Sequence, residues 1–113
     1  MHTSNKKHRE FEEQVRALGC CITDYPAVEI HHVVGRKSKH NKQLIGPWFI
    51  LPLRYDLHRD GATSVHGNAK MFRELYGYQC ELFVEVIDKW MQVHGDELPF
   101  DQQILEAILS VRK

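Results

Sequence analysis

The sequence predicts an α+β fold in which a small two-stranded ribbon is surrounded by three or four helices. Two short apolar runs, at 27–34 with Val28, Ile30, Val33 and Val34 and at 48–53, supply the ribbon. Helical periodicity at 6–19, 79–93 and from 101 onward supplies the helices. With 113 residues the chain is long enough for one small domain, which buries roughly 65% of its extended-chain surface. A single domain over 1–113 is therefore expected, with a core at about 20–77 and a helical extension over 78–113.

The first helix is predicted over 6–19, with Phe11, Val15 and Leu18 on one face and Gly19 as its C-cap. Asp24, Tyr25 and Pro26 make a turn, and the first strand follows from Ala27 to Val34, ended by Gly35. From Arg36 to Gly46 the chain is polar, basic and aperiodic, which predicts a loop. Trp48 to Leu53 is a second strand, in a position where the N–H missing from Pro52 is not needed. Trp48 and Phe49 are expected in the core. Gly61 breaks the next stretch. Ser64 is expected to cap a helix through His66, Ala69, Met71, Phe72 and Leu75 that ends at Gly77. The helix at 79–93 is expected to bury Phe83, Val84, Ile87, Trp90 and Met91, and the last, capped by Asp101, carries Ile104, Leu105, Ile108 and Leu109 on one face.

Composition excludes several classes. No apolar run approaches the roughly 20 residues of a membrane-spanning helix, and the first residues are polar rather than signal-like. A cytoplasmic protein is the expectation. The cysteines Cys20, Cys21 and Cys80 are odd in number, against a complete intrachain disulfide framework. Nor do they suit a four-cysteine zinc knuckle, since Cys20 and Cys21 are adjacent. Cys80 reads as a small apolar core residue. Net charge is zero, but residues 1–60 hold ten Lys or Arg against seven Asp or Glu, together with six of the eight histidines. An anionic partner would therefore meet the histidines in a favourable field.

His31, His32, His58 and His66 form the candidate site. A lone histidine on an apolar face is usually structural, but these four stand at a strand end, just past a second strand and at the start of the following helix. A strand, loop, strand, helix order can bring those stations together. Adjacent residues of a strand point to opposite faces, so His31 and His32 are not equivalent ligands. One can bind a metal while the other reaches a water. Imidazole serves both roles, and phosphodiester hydrolysis asks for both. Arg36, Lys37, Lys39 and Lys42, directly after the paired histidines, suit backbone phosphates. Asp56 and Asp60 flank His58, and either can orient it through its second nitrogen. His2, His8, His40 and His94 have no such placement, although His40 lies within the basic stretch.

The run Glu29-Ile30-His31-His32-Val33-Val34-Gly35 resembles the first motif of the HNH endonuclease superfamily, whose two-stranded ribbon and helix clasp one metal. Ile50-Leu51-Pro52-Leu53 through Leu57-His58-Arg59 resembles the second. Ser64-Val65-His66-Gly67, Phe72 and Tyr76-Gly77, with the opening Cys20-Cys21-Ile22-Thr23, are similar to the phage recombination-enhancement, RecA-dependent nuclease branch. The resemblance implies a ββα-metal core over about 20–77 and DNA as substrate. It casts His32 as the general base, His31 and His58 as metal ligands, and His66 as an additional histidine near the metal. Arg59 joins the basic loop as a DNA contact. The implied cofactor is one divalent ion, Mg2+ or Mn2+, with Zn2+ or Ni2+ also used in the superfamily, and in one branch the partner is a recombinase filament. Phe49 stands where the superfamily has its central asparagine, leaving a backbone carbonyl or Asn41 to orient the base, and Arg54 and Leu57 stand where zinc-knuckle members have cysteines. The alternative reading is a non-catalytic, metal-stabilised DNA-binding or recombination accessory module. In another, the helical second half is the functional surface. The last helix suits a homodimer contact or closure of the core.

Overall fold

A computed structural model describes residues 3–113, so His2 lies outside the described residues. The fold is mixed α+β, with two small antiparallel sheets among flanking helices. Helix α1, Thr3–Arg16, buries Phe11 and Val15 and ends three residues short of the predicted limit. Its last turn tightens through Leu18 N donating to Val15 O and Gly19 N to Arg16 O. Gly19 then takes φ 84°, where a side chain would also crowd the carbonyls of Asp24 and Tyr25.

Strand β1, Glu29–His32, is shorter than the predicted Ala27–Val34, and its sheet partner lies later in the chain. A hairpin occupies much of the predicted loop. Strands β2, Lys39–His40, and β3, Gln43–Leu44, are joined by Asn41 and Lys42 at φ 50° and 67°. Two successive left-handed residues make the tight turn whose twist suits a hairpin. Gly46 follows with its Cα against the backbone of Gly35 and Arg36, an approach that leaves no room for a side chain.

Strand β4, Ile50–Leu53, pairs with β1 in the register Glu29↔Leu53 and His31↔Leu51. The predicted strand at Trp48 starts later, because Trp48 and Phe49 turn back to donate to Ile45 O. Pro52 costs no ladder bond: its carbonyl accepts from Cys21 N, so its backbone polar side faces away from β1. A short helix α2, Tyr55–His58, follows directly. Helix α3, Ala69–Tyr76, is capped by Asn68, whose side chain accepts from Met71 N at 3.1 Å, and not by Ser64. Ser64 is buried instead and pins the turn before the helix, donating to Gly61 O and accepting from Gly67 N.

Helices α4, Gln79–His94, and α5, Gln102–Leu109, close the core. The buried stripe of α4 is Cys80, Leu82, Phe83, Val86, Ile87 and Trp90; Val84, predicted inside, is exposed, and Met91 sits at the rim. Phe49 meets Phe83 with ring centroids 5.5 Å apart, and Trp90 Nε1 donates to Gln14 Oε1 at 2.9 Å, tying α4 to α1. Among the described residues, no helix is long and apolar enough to cross a membrane.

Candidate metal centre

The alternation of β1 sends His31 inward, 4% exposed, while its neighbour His32 stays half-buried. His31 meets the first residue of α4: its Nε2–H donates to Gln79 Oε1 at 2.8 Å. That leaves the lone pair on Nδ1, the one buried side-chain polar atom without a hydrogen-bond partner among the described residues. His58, the last residue of α2, is also buried, and its Nδ1 lies 2.8 Å from Glu29 Oε1. With Nδ1–H donated to the carboxylate, Nε2 carries the free lone pair. His66 stands in the turn before α3, not in its first turn as predicted. The backbone bonds Val65 N to Leu57 O and His66 N to His58 O lay that turn along α2. His66 Nε2 comes within 3.0 Å of His58 Nε2.

The three imidazoles therefore converge. His31 and His66 have ring centroids 5.0 Å apart and His58 and His66 4.7 Å, and one ligand nitrogen from each lies within 4.8 Å of the others. A donor set of three imidazoles fits a divalent ion of intermediate hardness. Two nitrogens sharing a tetrahedral ion at about 2.1 Å each stand roughly 3.4 Å apart, slightly more than the 3.0 Å between His58 and His66. An orphaned Nδ1 also fits, because a buried acceptor without a partner costs about 1–3 kcal/mol.

Electrostatics favour the neutral form of His31 and His58. Burial pushes the pKa of His31 down to about 4, and the neighbouring imidazoles add to the shift against the Gln79 hydrogen bond. Burial also lowers His58, which Glu29 partly offsets. Neutral imidazole is the form a metal requires. His32 is lowered by burial and by the Arg36 charge, with Glu12 opposing. Its Nε2 faces Glu12 Oε1 of α1 at 3.5 Å.

The other sequence candidates scatter. Arg36 and Lys37 line a cavity of about 440 Å³ with His8, Arg9 and Glu12. Lys39 and Lys42 project from the β2–β3 hairpin. Arg59 donates to Glu29 Oε1 at 3.2 Å and so braces the carboxylate that holds His58. That place was expected for Asp56 or Asp60, but Asp56 is bound to Arg54 at 2.6 Å. Asn41 does not orient His32; its Nδ2 meets Ser110 Oγ at 3.3 Å. Sequence reasoning missed Glu12, Glu29 and Gln79. Glu29 had a signal, since it lies two residues before His31 and shares its strand face.

The sequence model of a family described as a protein of unknown function (DUF968) matches residues 2–94. The chain belongs to the DUF968 family. No curated protein and no solved structure matches it. The part shared with DUF968 contains the three converging histidines, His32, and the partners Glu12, Glu29 and Gln79, while α5 lies beyond it.

Proposed function

We propose that this DUF968 protein is a metal-dependent endonuclease that hydrolyses DNA phosphodiester bonds, with a ββα-metal core formed by β1, β4 and the helical segment after them. The observation that carries the reading is the convergence of His31, His58 and His66 with the His31 Nδ1 lone pair unused. His66 is exposed, so the cluster has a side open to a substrate. When bound, the divalent ion, for which an all-imidazole set favours Zn2+ or Ni2+ over Mg2+ or Mn2+, would supply charge neutralisation at the phosphoryl and leaving oxygens.

His32 is the general base. Glu12 faces its Nε2 and favours the tautomer with the proton there, which leaves Nδ1 to take a proton from the attacking water. Its lowered pKa keeps it unprotonated at neutral pH. Glu29 and Gln79 hold the His58 and His31 rings in the orientation that frees the ligand nitrogens.

The test is nicking of supercoiled duplex DNA by chelator-treated protein to which each of the four ions is returned. His32→Ala should abolish nicking while metal binding stays as in the parent. His31→Ala and His58→Ala should each weaken metal binding measured by calorimetry. Unchanged nicking by His32→Ala would remove the mechanism. DNA and metal binding with no nicking by the parent protein would favour the non-catalytic, metal-stabilised binding module instead.

A further inference from the structure

The cleft of about 290 Å³ that His31, His32 and His66 line has a second wall that the sequence reading left without a role. It is built from Arg73 of α3, from Gln79, and from Arg112 and Lys113 in the segment after α5. That segment is tied to the site, because Gln79 N donates to Lys113 O at 2.7 Å beside the Gln79 side chain that holds His31. No aspartate or glutamate lines the cleft. Among the described residues, neither Arg73 nor Arg112 is in an ion pair.

Both guanidinium groups are set over one aromatic ring. The Arg112 guanidinium carbon lies 5.2 Å from the centre of Tyr78 and that of Arg73 6.0 Å. Arg112 also donates to Cys80 Sγ at 3.9 Å. A cation over an aromatic face gains about 0.5–1 kcal/mol at an exposed site, and the ring limits the freedom each side chain would lose on gripping an anion. Arginine suits a phosphate because its planar fork donates two parallel hydrogen bonds. The basic loop is placed differently: Arg36 and Lys37 face another cavity, whose lining includes the carboxylate of Glu12.

We propose that Arg73 and Arg112, braced on Tyr78, grip the DNA backbone phosphate next to the one being hydrolysed, and so position the strand across His32. This rests on the endonuclease reading and adds where the strand is held.

The experiment uses the metal-loaded protein and a fluorescent duplex, with affinity read by anisotropy between 50 and 200 mM salt, beside nicking and metal calorimetry. Each phosphate contact adds about 0.9 to the slope of log affinity against log salt. The Arg73→Ala/Arg112→Ala double variant, which releases that one phosphate, should therefore lose about 0.9 of that slope, fall roughly tenfold or more in nicking, and bind metal as the parent does. Arg73→Lys/Arg112→Lys should recover most of the slope. A charge-matched Lys6→Ala/Lys89→Ala variant, whose positions do not line the cleft, should keep it. A slope equal to the parent's, or an equal loss in the charge-matched variant, overturns the proposal while leaving an active parent's endonuclease reading in place. A parent that neither binds nor nicks DNA with any of the four ions overturns both.

Discussion

Acid should unfold the metal-free protein through His31, and the size of the effect follows from where that ring sits. In the unfolded chain the imidazole titrates near 6.5; in the fold its pKa is lowered to about 4, chiefly because the ring is taken out of water. The folded-state value is the depressed one, so between those values the unfolded chain binds the proton more tightly. Stability is then complete above pH 6.5 and lost as the pH falls toward 4. Integrating the linkage from pH 7.5 to pH 4.5 gives a loss of about 2.5 kcal/mol from this one group. That is a large share of the 5–15 kcal/mol that holds a typical domain together. His58 and His32 are lowered in the same direction, so the whole protein should lose at least this much. The assay is urea unfolding of chelator-treated protein across that range, where the midpoint should fall by roughly 1–2 M. His31→Gln isolates the group: its amide can still donate to Gln79, and it does not titrate. The variant should lose about 2.5 kcal/mol less than the parent over the same range. A parent and variant with parallel pH profiles would refute the assignment of a buried, neutral His31.

Returning a divalent ion at about one hundred times its dissociation constant should raise unfolding stability by about 2.7 kcal/mol, seen as a rise of roughly 10 °C in the thermal midpoint; no shift with any of the four ions would contradict a metal site. Glu29→Gln removes the charge that holds His58 at 2.8 Å, and calorimetry should show metal affinity weakened about 10- to 100-fold. Phe49→Ala empties a fully buried site against Phe83 and should cost about 3–5 kcal/mol in denaturant unfolding. Gly46→Ala places a methyl into the backbone of Gly35 and Arg36, and thermal melts should show a loss of roughly 1–3 kcal/mol.

The parts legible in the sequence are those with local causes. Short apolar runs bounded by Gly35 and by Pro47 and Pro52 marked the β1–β4 ribbon, and period-3.6 stripes marked α1, α4 and α5, because a helix that buries one face leaves that spacing in the chain. The β2–β3 hairpin was missed because Asn41-Lys42 supplies only half of the Asn-Gly signal, with a lysine held at φ 67° where glycine is usual. Ser64 and Asn68 are both good capping residues, and only the tertiary structure decides between them by burying the first. At the site, the strand, loop, strand, helix order allowed the histidine stations to come together, and His31, His58 and His66 do so. Their partners were harder. Gln79 lies 48 residues from His31 and Lys113 is paired with it through the backbone, contacts for which spacing offers no rule.

Phe49, standing where the HNH resemblance expects an asparagine, fits the same division of labour. Each imidazole is held by a different element, His31 by α4 through Gln79 and His58 by its own sheet through Glu29, while His32 faces α1 through Glu12. A side chain at position 49 is not needed for any of these, and Phe49 is free to fill the core between the ribbon and Phe83. Its backbone remains in use, since Phe49 O accepts from Val33 N and extends the ladder one step past His32. Together with the Glu29↔Leu53 pairing before His31, that bond fixes the strand on both sides of the paired histidines. Fixing the backbone there keeps His31 facing in and His32 facing the cleft, because a slip of one residue would exchange them. On this argument the integrity of the β1–β4 register, more than any single hydrogen bond to His32, is what keeps the expected ligand and the expected base apart.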